Sequence, residues 1–94
     1  MTDAGGGLEI TYNDALTDID GLASLTQVGG FLDIHTNATL TNLDGLASLT
    51  ELGDDLDIYT NPALCQSFVD AFVAMMEGHG WSGSATSYDN DDTC

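Results

Sequence analysis

The hexapeptide Leu8-Glu9-Ile10-Thr11-Tyr12-Asn13 returns 24 residues later as Leu32-Asp33-Ile34-His35-Thr36-Asn37, and 24 residues later again as Leu56-Asp57-Ile58-Tyr59-Thr60-Asn61. Its flank repeats with it. Leu16, Ile19, Gly21, Leu22, Leu25 and Val28 recur as Leu40, Leu43, Gly45, Leu46, Leu49 and Leu52, and Leu64 begins a third round. A fixed period in this range marks stacked coils, each unable to bury its own apolar edge, so the fold class expected is a β-solenoid. Within Leu-x-Ile-x-x-Asn the residues alternate, which sends Leu8 and Ile10 inward and Glu9 and Thr11 outward from a short strand. Stacked copies of that strand give a parallel sheet.

Between strands, apolar residues fall at every third position from Leu16 to Val28, a spacing that fits neither a helix face nor a strand and is read as a chain turning corners. Gly21, Gly45, Gly29-Gly30 and Gly53 stand where turns need positive φ or close approach. Asn13, Asn37 and Asn61 are expected to stack inside the coils, each amide bonding backbone so that the bend leaves no buried polar group unpaired. Past Asn61 the pattern changes. Ser67 with Asp70 suggests a helix N-cap, and Phe68, Val69, Phe72, Val73 and Met76 follow at helical spacing up to Gly78. This predicts a capping helix over 68–77 with Trp81 packed beneath it. Ala85-Thr86-Ser87-Tyr88-Asp89-Asn90 then repeats the strand frame with smaller inward residues, which predicts a terminal strand and extends the ladder to Asn90.

Boundaries follow from the period: a single domain over 1–94, with repeat 1 at about 5–28, repeat 2 at about 29–52, repeat 3 with its capping helix at 53–80, and a terminal strand and tail at 81–94. The 94 residues permit only a narrow core, so a covalent staple is expected. Cys65 and Cys94 each lie four residues after a ladder Asn, so stacking in register sets them at the same point of adjacent turns. A disulfide there would contribute about 3 kcal/mol and would imply an oxidising, extracellular or cell-surface location. The alternative is two free buried thiols.

Sixteen acidic residues face no Lys or Arg, a formal charge of −16. That balance argues against nucleic acid and anionic membrane surfaces as partners and favours cations. No run of apolar residues is long enough for membrane insertion, and a chain without Lys or Arg has no basic n-region of a signal peptide, so Met1 is expected to begin a mature form.

The frame Gly-x-Leu-x-Ile-x-x-Asn-x-x-Leu-x-x-Leu-x-Gly-Leu-x-x-Leu-x-x-Val resembles the leucine-rich-repeat variant of the receptor L-domain family, known from the ligand-binding lobes of insulin and epidermal growth factor receptors. It is also similar to tandem repeats of secreted myxobacterial proteins, whose copies end in a Cys-containing helix, a Trp-Gly-like turn and an Asn-Asp-Asp-x-Cys tail; here these are Cys65, Trp81-Ser82-Gly83 and Asn90-Asp91-Asp92-Thr93-Cys94. The resemblance covers about residues 5–94. It implies a right-handed solenoid of parallel sheets and, in receptors, binding of protein ligands; it carries no catalytic residues. Receptor L domains have more coils and a disulfide-bonded N-terminal cap, whereas this chain starts at Gly5-Gly6-Gly7, so receptor function does not transfer.

The register creates two outward columns. Glu9, Asp33 and Asp57 stack like charges about 4.8 Å apart, an arrangement compensated either by Ca²⁺ or another hard cation, or by solvation and raised pKa. Asp89, Asp91 and Asp92 form a second acidic set, a candidate Ca²⁺ site without the spacing of an EF-hand. Thr11, His35 and Tyr59, continued by Tyr88, make a row of rings and hydroxyls suited to recognising a protein or glycan, or simply a solvated sheet face. His35 lacks a second nitrogen ligand nearby and His79 falls in the cap, so both are read as structural or exposed. Recurring threonines such as Thr17 and Thr41 alternate with Asp and Gln, unlike a flat ice-binding lattice. Asn37-Ala38-Thr39 matches a glycosylation acceptor, but its Asn belongs to the inner ladder.

No nucleophile with a placed base and no phosphate loop is present, so no catalytic residue and no required cofactor are expected. Two functions remain: a non-enzymatic extracellular module for recognition or adhesion, or a self-assembling structural subunit stacking through an open edge under Ca²⁺ control.

Overall fold

The computed structural model describes residues 3–91 and Thr93, with backbone only for Asp3 and Ala4. Its elements are parallel strands in two sheets and one α-helix. In chain order they are β1 (Asp3–Ala4), β2 (Leu8–Thr11), β3 (Gln27–Val28), β4 (Leu32–His35), β5 (Glu51–Leu52), β6 (Leu56–Tyr59), α1 (Gln66–Gly78) and β7 (Ala85–Tyr88).

The larger sheet runs β2-β4-β6-β7, all parallel, and its register follows the sequence period. Leu8 pairs with Leu32 and Leu32 with Leu56, while Ala85 takes the place beside Leu56 and Ser87 that beside Ile58. The terminal strand predicted at Ala85 is therefore present in the predicted register. Leu32, Ile34, Leu56 and Ile58 are fully buried, and each such side chain contributes about 2 kcal/mol relative to exposure. A second parallel sheet, β1-β3-β5, has strands that the residue pattern does not mark: Gln27 pairs with Asp3 and Glu51, and Val28 pairs with Ala4 and Leu52. Two-residue strands are too short to show alternation, which is why the pattern read only as a corner.

The three-residue apolar spacing has a specific cause. Asp20–Leu22 and Asp44–Leu46 are 3₁₀ turns, and consecutive three-residue bonds tie Leu22 to Ile19 (2.9 Å) and Leu25 to Leu22 (2.8 Å), with the same pairs 24 residues on. Side chains three apart eclipse in such turns, so Leu43, Leu46 and Leu49 share one inward face. Asp18 and Asn42 start the turns, their Oδ1 accepting the N–H of Asp20 (3.1 Å) and Asp44 (3.0 Å).

The helix differs from its predicted limits. Cys65, not Ser67, is the N-cap but makes no side-chain hydrogen bond that caps the helix, and Ser67 lies inside the first turn, its Oγ hydrogen-bonded to the Cys65 sulfur at 3.0 Å. At the other end Gly78 still belongs to the helix, and the reversal falls at Gly80, whose φ of +95° only glycine adopts freely. Val69, Phe72 and Met76 are buried as expected; Phe68 is not, being 49% exposed. Trp81 packs against the same core and donates its indole N–H to the Asp54 carbonyl at 2.8 Å.

Candidate functional site

The site is built where each strand of the larger sheet ends. Tyr12, Thr36, Thr60 and Asp89, one from each repeat, all adopt positive φ between 54° and 58°, which turns the chain out of the strand. The Asn that follows holds the turn. Asn37 Nδ2 donates to the Ile10 carbonyl (2.9 Å), Asn61 to that of Ile34 (3.0 Å) and Asn90 to that of Ile58 (3.0 Å). Each Oδ1 in turn accepts the backbone N–H and side-chain amide of the preceding Asn, so Asn37 serves Asn13, Asn61 serves Asn37 and Asn90 serves Asn61. The ladder assigned from sequence is thus present, and Asn37, fully buried in it, is closed to glycosylation.

That scaffold fixes two adjacent outward columns. Glu9 pairs with Asp33, Asp33 with Asp57, and Asp57 with Thr86, which places the carboxylates side by side and ends the column on a neutral residue. Asp33 sits at the centre. Its Oδ2 lies 3.7 Å from Nε2 of His35, and its Oδ1 is buried with no hydrogen-bond partner among the described residues. Burial raises the Asp33 pKa above the ordinary carboxylate value; the His35 ring acts against this, and the neighbouring Asp57 and Glu9 charges add to it.

The second column pairs Thr11 with His35, His35 with Tyr59 and Tyr59 with Tyr88. His35 and Tyr59 stack with ring centres 4.6 Å apart, and Tyr59 and Tyr88 stack at 4.8 Å. Burial and the nearby Asp33 charge push the Tyr59 hydroxyl pKa upward. Nδ1 of His35 lies 2.9 Å from the Thr36 hydroxyl, which fixes the ring plane. Tyr12 was not assigned to this column but joins it, its ring meeting His35 edge-on at 5.3 Å. The register put Thr11 there; the positive φ of Tyr12 swings its ring across, and nothing in the repeat pattern signals that turn.

The tail is arranged differently. Asp91 Oδ1 accepts the Thr93 backbone N–H (2.9 Å) and hydroxyl (2.6 Å), bonds that hold its carboxyl below the ordinary range. Asp89 stands at the positive-φ turn, and Asp92, third of the proposed Ca²⁺ set, lies outside the described residues. Among the described residues no group of three or more His, Cys, Asp or Glu side chains is placed to hold a metal ion. The Cys65–Cys94 pairing also falls outside, because Cys94 is not described. Cys65 forms a parallel bridge with Asp91, so the backbone register shortens after Asn90: the turn Pro62-Ala63-Leu64 has no counterpart in the tail.

Two clefts lie elsewhere. One of about 430 Å³ is lined by Val28, Leu52, Glu51, His79 and Trp81, and one of about 200 Å³ by Leu43, Ala47, Phe68, Phe72 and Met75. Neither borders the two columns, and His79 is exposed at the first. Among the described residues no helix is long and apolar enough to cross a membrane. Comparison with known proteins finds no matching family model, curated protein or solved structure.

Proposed function

We propose that this chain is a non-enzymatic recognition module of the extracellular or cell-surface kind, a short right-handed solenoid resembling the receptor L domain, whose ring column binds a protein or glycan. The observation that carries this reading is the ring row in which His35, Tyr59 and Tyr88 stack face to face and Tyr12 meets His35 edge-on. Rings stacked on one another spend their faces internally, so the surface they offer a ligand is a row of edges and polar tips. Hydroxyl and imidazole groups spaced about 5 Å apart suit a partner with polar groups repeating along the column, and their fixed positions limit the entropy lost on binding. The solenoid reading draws support from the in-register pairing of 24-residue repeats and the Asn ladder. A Cys65–Cys94 disulfide belongs to the same proposal, with compensation of the Glu9–Asp33–Asp57 column left to solvent or a bound hard cation.

The test is a glycan array together with a displayed random-peptide library, probed with the wild type and with Tyr59→Ala and Tyr88→Ala. Ligands whose affinity falls tenfold or more in both variants, with circular dichroism unchanged, support the reading. Ligands indifferent to both substitutions, or no enrichment from either library, overturn it.

A further inference from the structure

The α-helix carries more apolar surface than the core uses. Val69, Phe72 and Met76 face the core and are buried. Phe68, Ala71, Phe72 and Met75, spaced i, i+3, i+4 and i+7, make an adjoining stripe along the same helix. Phe68 is 49% exposed, Ala71 is exposed and Met75 is half-buried. At about 100° per residue the helix's two charges, Asp70 and Glu77, fall on the flank opposite this stripe. The stripe is one wall of the cleft of about 200 Å³, and Leu43 and Ala47, at the second 3₁₀ turn, are the other.

The cleft has a cause in the fold. The two 3₁₀ turns stack backbone on backbone, so closely that Gly45 leaves no room for a Cβ over the Ile19 carbonyl. Repeat 3 has α1 where a third such turn would fall, and a helix about 10 Å across with its side chains cannot approach as closely. The gap is left open because Ala47 and Ala71 are too small to fill it. Its walls come entirely from repeat 2 and α1.

We propose that this cleft docks a segment of a partner protein that presents one aliphatic or aromatic side chain beside a Lys or Arg. Size argues for a single anchor: about 200 Å³ falls short of the roughly 300 Å³ at which small-molecule sites begin, yet suits one large side chain entering between Ala47 and Ala71. Met75, unbranched, can adjust to the shape of what enters. Charge argues for the basic neighbour. Asp44 is the one charged residue of the lining and is exposed, and Asp20 holds the same place in the turn beneath it. The chain has no Lys or Arg to pair with either. A second copy is the poorer occupant, because it brings no such cation and its charge of −16 repels the first. The cleft stands apart from the ring column, and its occupation does not depend on that column having a ligand.

NMR titration of the full chain in about 0.15 M NaCl with the capped tripeptides Lys-Leu-Lys, Lys-Phe-Lys, Lys-Ala-Lys and Glu-Leu-Glu tests this. Lys-Leu-Lys or Lys-Phe-Lys should shift the resonances of Ala47, Ala71 and Met75 with a Kd of about 1 mM or tighter. Lys-Ala-Lys should leave them in place, and Glu-Leu-Glu should bind at least about threefold more weakly, the size of an exposed ion pair. Asp44→Asn should weaken the lysine peptides similarly, whereas Glu77→Gln, which removes a charge from the opposite flank, should not. Ala71→Trp and Ala47→Leu, which fill the cleft from exposed positions, should each abolish the shifts with circular dichroism unchanged. The proposal is overturned by an absence of shifts at the cleft, by equal losses in Asp44→Asn and Glu77→Gln, by Glu-Leu-Glu binding as tightly, or by binding that survives both filling substitutions. It is also overturned if n-hexylamine binds as tightly as the peptides, which would assign the cleft to a small amphiphile. A concentration-dependent dimer dissolved by Ala71→Trp would assign it instead to a second copy and overturn it too.

Discussion

His35 and Tyr59 lie ring on ring, their centres 4.6 Å apart and their planes within 3° of parallel. Tyr59 repeats the contact on its other side with Tyr88 at 4.8 Å and 15°. Aromatic pairs add about 0.5–1.5 kcal/mol beyond the area they bury, so Tyr59→Ala, which breaks two, should lower stability by about 1–3 kcal/mol. Tyr88→Ala breaks one and should cost about half as much. Urea denaturation of both variants checks the ratio; equal losses would mean that the stack adds nothing beyond burial.

The central carboxylate predicts a pH dependence of defined sign. Asp33 has a raised pKa in the folded chain, chiefly through burial, with His35 opposing and Asp57 and Glu9 reinforcing. A carboxyl that holds its proton more tightly folded than unfolded favours the folded state below the ordinary value of 3.8, and that contribution is lost as pH rises through the raised value. Asp33→Asn should therefore raise the urea midpoint near neutrality and flatten the fall in stability just above the ordinary carboxylate range. Asp91 works the other way: its pKa is lowered by Thr93, so its smaller, surface contribution exists above the ordinary value and disappears on acidification. A midpoint that drops at neutral pH in Asp33→Asn would show that attraction to His35 outweighs the cost of burial.

The Asn ladder should dominate the response to mutation. Replacing Asn61 by Ala strands the Asn37 backbone N–H and the Ile34 carbonyl, both served by its amide in a fully buried place. Each buried group left unpaired costs about 1–3 kcal/mol, so the loss should reach about 2–6 kcal/mol. Asn13→Ala, at the exposed end, should cost about 1 kcal/mol or less, because its side chain supports only Thr11 and Asn37 and water replaces both contacts. Guanidinium titration of the two variants side by side measures the gap, and comparable losses at the two positions would contradict the burial argument.

Much of this was legible from the repeat. Alternation in Leu-x-Ile and the single Asn per period specify strands, register and inner ladder together, which is why even β7, offset by 29 residues from β6, was placed beside it. The acid column and His35–Tyr59–Tyr88 followed from the same register. What escaped was whatever the period does not encode. Strands β3 and β5 are two residues long and show no alternation. The helix begins at Cys65 with no capping side chain, so the only nearby hydroxyl, Ser67, misled by two residues. Thr36 and Thr60 are β-branched residues at positive φ, a conformation their chemistry disfavours, and so Tyr12, which shares it, could not be seen to reach the ring column.

Gly21 and Gly45 occupy the same place in successive repeats, yet they should respond oppositely to substitution. Neither has positive φ, so backbone strain is not the issue. A Cβ on Gly45 would collide with the Ile19 carbonyl oxygen and come within 2.9 Å of the Asp20 nitrogen, because the second 3₁₀ turn lies directly on the first. A Cβ on Gly21 meets nothing within 4 Å. Overpacking against backbone, which cannot rotate away as a side chain can, costs about 1–3 kcal/mol, whereas Ala for Gly at an open site gains about 0.4–1 kcal/mol by restricting the unfolded chain. Gly45→Ala should thus lower the thermal midpoint and Gly21→Ala raise it slightly, as read by differential scanning calorimetry. The sign difference is the informative part: if both substitutions shift the midpoint the same way, the two 3₁₀ turns are not stacked backbone on backbone.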